Sequence, residues 1–85
     1  SDVFDFQTTR ILLYPNPAKN ILTLSSEDSL DKQIDILDIT GKNLLSMTLQ
    51  GKQNRIDISF LKPGVYIVGV KTDALYLTKR FTVIR

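Results

Sequence analysis

Residues 61–70, Leu-Lys-Pro-Gly-Val-Tyr-Ile-Val-Gly-Val, restrict the folds open to this chain more than any other stretch. Pro63 presets φ at the first central position of a turn, and Gly64 accepts a positive φ that a Cβ would resist. A run rich in β-branched residues follows at once, so the turn opens a strand. The spacing Leu61-x-x-Gly64-x-Tyr66 fits a tyrosine corner, in which the ring packs on the core and the hydroxyl bonds to backbone just upstream. Leu61 then plugs the core beneath the turn. Because residues 65–70 are apolar at both odd and even positions, the strand is expected to be central and either covered on both faces or wedged between sheets.

The rest of the chain supplies partners for that strand at regular spacing. Ile11-Leu12-Leu13-Tyr14 is a short apolar run halted by Pro15-Asn16-Pro17, where two prolines exclude both a helix and a central ladder and leave a rigid extended bend. Residues 20–25 alternate, with Leu22 and Leu24 on one side and Ile21 and Thr23 on the other; residues 25–29 read as a polar loop. Residues 33–37 and 43–49 form a hairpin around Asp38-Ile39-Thr40-Gly41-Lys42, in which Asp38 can make an Asx bond and Gly41 can take the left-handed bulge position. After a turn at 50–53, residues 55–59 alternate with Ile56 and Ile58 inward. A tight turn at 71–74 leads to the last strand, 75–84, whose Leu75, Leu77, Phe81 and Val83 share a face. Residues 1–10 have no clear period: Phe4 and Phe6 fit a short edge strand, and residues 7–10 read as a connector. No segment carries a helical apolar stripe of useful length. Six or seven short strands therefore predict an all-β sandwich over residues 11–85, with residues 1–10 as a linker or edge segment. At 85 residues the chain forms one small core, burying roughly 60–65% of its unfolded surface.

What the chain lacks limits its chemistry. It contains neither cysteine nor histidine, which removes disulfide and thiolate chemistry together with the commonest general base and metal ligand. A serine or threonine nucleophile could then rely only on lysine, but Thr78 and Lys79, as strand neighbours, point to opposite faces. The acids of residues 27–31 lack the ligand spacing of a calcium loop. No cofactor or metal site is expected, and the domain is not expected to be an enzyme. The charge is uneven. Residues 1–38 carry seven acids against three bases, a balance of −4, whereas residues 39–85 carry eight bases against two acids, a balance of +6. Tyr76, Lys79 and Arg80 form a basic cluster with one aromatic, too mild for nucleic-acid binding. The first residues are acidic and lack the basic start of a signal peptide, so export would require that this piece follow a longer precursor.

The motifs also fall in a familiar order. Leu13-Tyr14-Pro15-Asn16-Pro17-Ala18 comes first, then Ile36-Leu37-Asp38-Ile39-Thr40-Gly41-Lys42. Residues 56–66, Ile-Asp-Ile-Ser-Phe-Leu-Lys-Pro-Gly-Val-Tyr, follow, and residues 78–85, Thr-Lys-Arg-Phe-Thr-Val-Ile-Arg, close the chain. Over residues 12–85 this order and spacing resemble the type A C-terminal sorting domain of proteins exported by the type IX secretion system of Bacteroidetes-group bacteria. The resemblance implies an immunoglobulin-like antiparallel sandwich of about seven strands at the end of a larger protein, sent through the periplasm and outer membrane to the medium or the cell surface. It implies, as partners, an N-terminal cargo domain, the outer-membrane translocon and its shuttle proteins, and a sortase-like peptidase that commonly removes the domain by cutting near or before residues 1–10. Carried over by position, Lys79, Arg80, Phe81, Val83 and Arg85 match the part of the pattern tied to export. Pro15, Asn16, Pro17, Asp38, Gly41, Leu61, Gly64 and Tyr66 match positions that shape the fold. The chain departs from the pattern in three places. Arg85 stands where lysine is usual, Gly69 stands where a branched residue is commoner and marks a close backbone approach, and the turn at 72–74 lacks glycine.

A last strand at a sheet edge, ending in a carboxylate, suits recognition by strand addition or by carboxylate capture, with Lys79, Arg80 and Arg85 steering the encounter and main-chain pairing over residues 78–84 supplying most of the specificity. In the blander view, Phe81 and Val83 are core and the charges only guard an edge against aggregation. Such an edge also allows two copies to pair as a homodimer. The competing function is a fibronectin-III-like accessory or adhesion module, which can share the same corner. The proline bend, and a chain that finishes at or near Arg85, would favour sorting. A carbohydrate-binding sandwich would be expected to expose tryptophan, and the chain has none.

Overall fold

A computed structural model describes residues 11–27, 31–73 and 76–85. Seven strands run in the order β1 (Ile11–Tyr14), β2 (Ile21–Ser26), β3 (Lys32–Asp38), β4 (Asn43–Leu49), β5 (Gln53–Asp57), β6 (Gly64–Lys71) and β7 (Tyr76–Val83). They form two antiparallel sheets, one in the order β1-β2-β5 and the other β4-β3-β6-β7. The expected sandwich is therefore present. The expected edge strand at Phe4 and Phe6 and the inward Leu75 lie outside the described residues.

The core lies between the sheets and follows the period-2 pattern. Leu22 and Leu24 of β2, with Ile56 of β5 and Ile58 just beyond it, come from one sheet. Ile34, Ile36, Val68, Val70, Leu77, Phe81 and Val83 come from the other. Burying aliphatic side chains on both inner faces is the main favourable term, about 1.5–3 kcal/mol for each large one. β6 is central in its sheet, hydrogen-bonded to both β3 and β7, but it is not covered on both faces. Val68 and Val70 face the core, while Val65 is exposed and Ile67 half-buried on the outer side. The two faces differ because no second layer covers the outer side of this sheet among the described residues.

Strand boundaries also differ from the expected ones, and β5 ends at Asp57 rather than Ser59. β2 continues through Ser25 and Ser26, because Ser26 pairs with Ile11 and its N–H donates to the Lys52 carbonyl at 2.7 Å. β5 begins at Gln53, opposite Ser25. In both cases pairing with a neighbour outweighs the polar, turn-like composition. Lys32, which local sequence gives no reason to place inside, opens β3 on the inner face and is 1% exposed, with its polar contact made within the domain.

The hairpin and the corner form as expected. Gly41 has φ +92° and donates to the Asp38 carbonyl at 3.0 Å, and the β3–β4 register shifts between Ile36 and Leu37. The Tyr66 hydroxyl donates to the Lys62 carbonyl at 2.6 Å, and its ring lies 5.9 Å from that of Phe81. Leu61 is buried beneath the turn, whose Gly64 has φ +156°. On the outer face, a Cβ at Gly69 would lie 2.6 Å from the Tyr76 hydroxyl, so glycine gives the Tyr76 ring its place across the strand.

Candidate functional site

Strand alternation divides the five residues matched to export. Phe81 and Val83 point inward and are buried at 2% and 1% exposure. Lys79 shares their face, is half-buried, and is engaged within the domain. Arg80 points to the opposite, outer face and is exposed, across the sheet from Ile67. The fold therefore does not bring Lys79, Arg80 and Arg85 into one cationic patch.

Arg85 turns back onto the domain. Its guanidinium donates to the Lys19 and Leu61 carbonyls, to Asn20 Oδ1 at 3.2 Å, and to the Ile58 and Ser59 carbonyls at 3.2 and 3.1 Å. These acceptors belong to two loops, β1–β2 and β5–β6. A planar five-donor fork can serve both at once, which a lysine ammonium on its flexible stem does less well.

The proline-bounded segment proves to be part of the same site. Residues 15–18 leave the β1 sheet and lie along the edge of β7 in the other sheet. Asn16 Oδ1 accepts from the Thr82 N–H at 3.0 Å, and Asn16 Nδ2 donates to the Arg80 carbonyl at 3.4 Å. One turn onward, the Ala18 N–H donates to the Thr82 carbonyl at 2.8 Å and the Ile84 N–H to the Ala18 carbonyl at 2.9 Å, making a parallel bridge between Ala18 and Val83. The side-chain amide of Asn16 thus stands in for a strand backbone. Both X-Pro bonds here, Tyr14-Pro15 and Asn16-Pro17, are cis. Sequence shows Asn16 only as part of a rigid extended bend, and its link to β7 spans 64–66 residues, beyond the reach of any local pattern.

Among the described residues two carboxylates are perturbed, and both serve turns. The Thr40 hydroxyl above all lowers the Asp38 pKa; desolvation opposes it more than either amide alone supports it, and the Lys42 and Thr40 amides and the Lys42 charge add to the lowering. One oxygen, Oδ1, accepts all three bonds at 2.5–3.0 Å. Hydrogen bonds from Ser59, the side chain first and then the amide, lower Asp57. In each case the donors are residues of the same turn. An open groove of about 640 Å³ beside the bend is lined by Tyr14, Pro15, Pro17, Ile21 and Ile84 together with the polar Lys19, Asn20, Thr23 and Arg55. Among the described residues, no three acids are grouped to hold a metal ion.

The fold is a two-sheet sandwich in which Asn16 and Arg85 bond to the domain's own backbone. The model of the secretion system C-terminal sorting domain matches residues 12–84, and the chain belongs to that family, the sorting domains of the type IX, or Por, secretion system. The domain is accordingly a secretion signal, without catalytic function, on a protein destined for export. No curated protein matches the chain. Among solved structures it is similar to PorZ of Porphyromonas gingivalis, described as an essential bacterial surface component of the type-IX secretion system, with a TM-score of 0.69 and 23% identity. The match covers 88% of this chain and 11% of that one, so the domain corresponds to a small part of the larger protein.

Proposed function

We propose that β7 is the surface by which the type IX translocon or its shuttle proteins read this domain, with Arg80 as the leading charged contact. The observation that carries this is the separation of roles along the strand. Phe81 and Val83 anchor β7 in the core and Arg85 is occupied by loop carbonyls, while Arg80 alone of the five matched residues presents its charge on the open sheet face. An exposed charge on a strand suits electrostatic steering, which acts through solvent before the partners touch. Residues 1–10 serve as the connector from the cargo to the folded signal at 11–85, and a sortase-like peptidase that frees the cargo cuts at or upstream of that connector.

The test is export of a periplasm-directed fluorescent protein fused to residues 1–85 in a type IX-competent host, compared with the same fusion carrying Arg80→Glu. The expected result is surface or medium fluorescence from the first and periplasmic retention of the second, with equal melting temperatures for the two purified domains. Equal export of the charge-reversed fusion would overturn the role given to Arg80. Periplasmic retention of both, as folded protein, would favour an accessory module instead.

A further inference from the structure

The bonds that residues 15–18 make to β7 fix which of its backbone groups point away from the sheet. The Thr82 N–H and C=O both turn outward, to Asn16 and Ala18. Backbone direction alternates along an antiparallel edge strand, so the N–H and C=O of Thr78 and the N–H of Arg80 point outward as well, while Leu77, Lys79, Phe81 and Val83 bond to β6. The lower half of the edge, from the Arg80 carbonyl to Ile84, is closed by the proline-bounded segment. Among the described residues, nothing pairs with the upper half.

We infer that this open half-edge, Thr78 with the Arg80 N–H, is a short strand-addition site for an extended segment of a partner protein carrying a carboxylate opposite Arg80. The inference rests on β7 being the surface that is read, and narrows it to one part and one partner chemistry. Three main-chain groups in a row offer a register, and the outer-face side chains of the same residues, Tyr76, Thr78 and Arg80, stand beside the added strand. β7 carries Lys79 and Arg80 and no acid, and its neighbour β6 ends in Lys71 opposite Tyr76. An acidic segment complements this edge, whereas a second copy would bring the same cations against it.

Thr78→Pro tests the site directly. It removes the outward N–H and leaves the ladder to β6, which uses the odd-numbered residues, so proline falls where an edge strand tolerates it. In the export assay the wild-type and Thr78→Ala fusions should appear outside the cell. Thr78→Pro should be folded but retained, with engagement about tenfold weaker for one lost main-chain bond. Full export of Thr78→Pro would overturn the site. Failure of the wild-type fusion would instead overturn the sorting role on which the site depends.

Should Thr78→Pro not fold, amide exchange and titration of the isotope-labelled wild-type domain decide. The Thr78 and Arg80 amides should exchange at least about tenfold faster than that of Thr82. An acetylated Glu-Val-Glu-Val-Glu peptide should shift the first two and spare Thr82. Protection of Thr78 equal to that of Thr82, a peptide that shifts neither amide, or sedimentation as a dimer with Thr78 protected would each overturn the proposal.

Discussion

Asp38 closes the β3–β4 turn with one carboxylate oxygen accepting from the Thr40 hydroxyl and from the Thr40 and Lys42 amides, and Asp57 receives the Ser59 amide in a similar local turn. Both folded pKa values lie below the unfolded one of about 3.9. Their contribution is therefore complete above that value and is lost as pH falls through the lower folded values. Urea midpoints of wild type and Asp38→Asn should differ most near neutral pH, and the gap should narrow as pH falls below about 3.9. A gap independent of pH would show that charge plays no part in the turn. Arg85 poses a different question at the same scale, because its exposed charge looks available to a partner but donates to both end loops. Arg85→Ala should cost about 1–2 kcal/mol in denaturant unfolding, with Arg85→Lys recovering part of it because an ammonium lacks the planar fork. An unchanged midpoint for Arg85→Ala would mean that the clamp contributes nothing in solution.

Among the elements, β7 and the 15–18 segment act as a pair, and here the division between what local sequence shows and what it hides is clear. Pro15 and Pro17 announce a bend because each fixes φ and removes a donor, and the corner at Tyr66 and the turn at Gly41 follow from equally local steric rules. Alternation likewise gives the inward face of β7 correctly at Leu77, Phe81 and Val83. What alternation does not give is a contact between distant residues: the amide of Asn16 bonds β7 across 64–66 positions, Lys32 turns inward, and Arg85 folds back on loops it follows by at least 24 residues. Each of these side chains is chemically suited to both solvent and an internal acceptor, so its type alone does not decide. Asn16→Ala should leave the Thr82 N–H without its acceptor and cost about 1–2 kcal/mol. It should also speed amide exchange at Thr82 while sparing Val68 in the centre of the sheet. Unaltered protection at Thr82 would mean that water or another group replaces the asparagine without loss.

For the molecule as a whole, the strand proposed to be read for export also supplies part of the folding core. Phe81 and Val83 come from the matched terminal strand, yet they fill the space between the sheets, and Phe81 also meets Tyr66 of the corner. A domain of this size is stable by only about 0.05–0.15 kcal/mol per residue, a total on the order of 5–10 kcal/mol. Removing one large buried aromatic costs about 3–5 kcal/mol, and loss of Val83, of the Asn16 and Ala18 bonds and of the Arg85 clamp would come on top. A chain ending at Thr78 should therefore show no cooperative thermal transition and exchange its amides throughout. Its failure to be exported would then report unfolding as much as lost recognition. Arg80→Glu and Thr78→Pro leave the core in place and keep the two effects apart. If the shortened chain instead melted cooperatively and only its export failed, the terminal strand would be a detachable address, and the union of signal and core inferred from Phe81 and Val83 would be wrong.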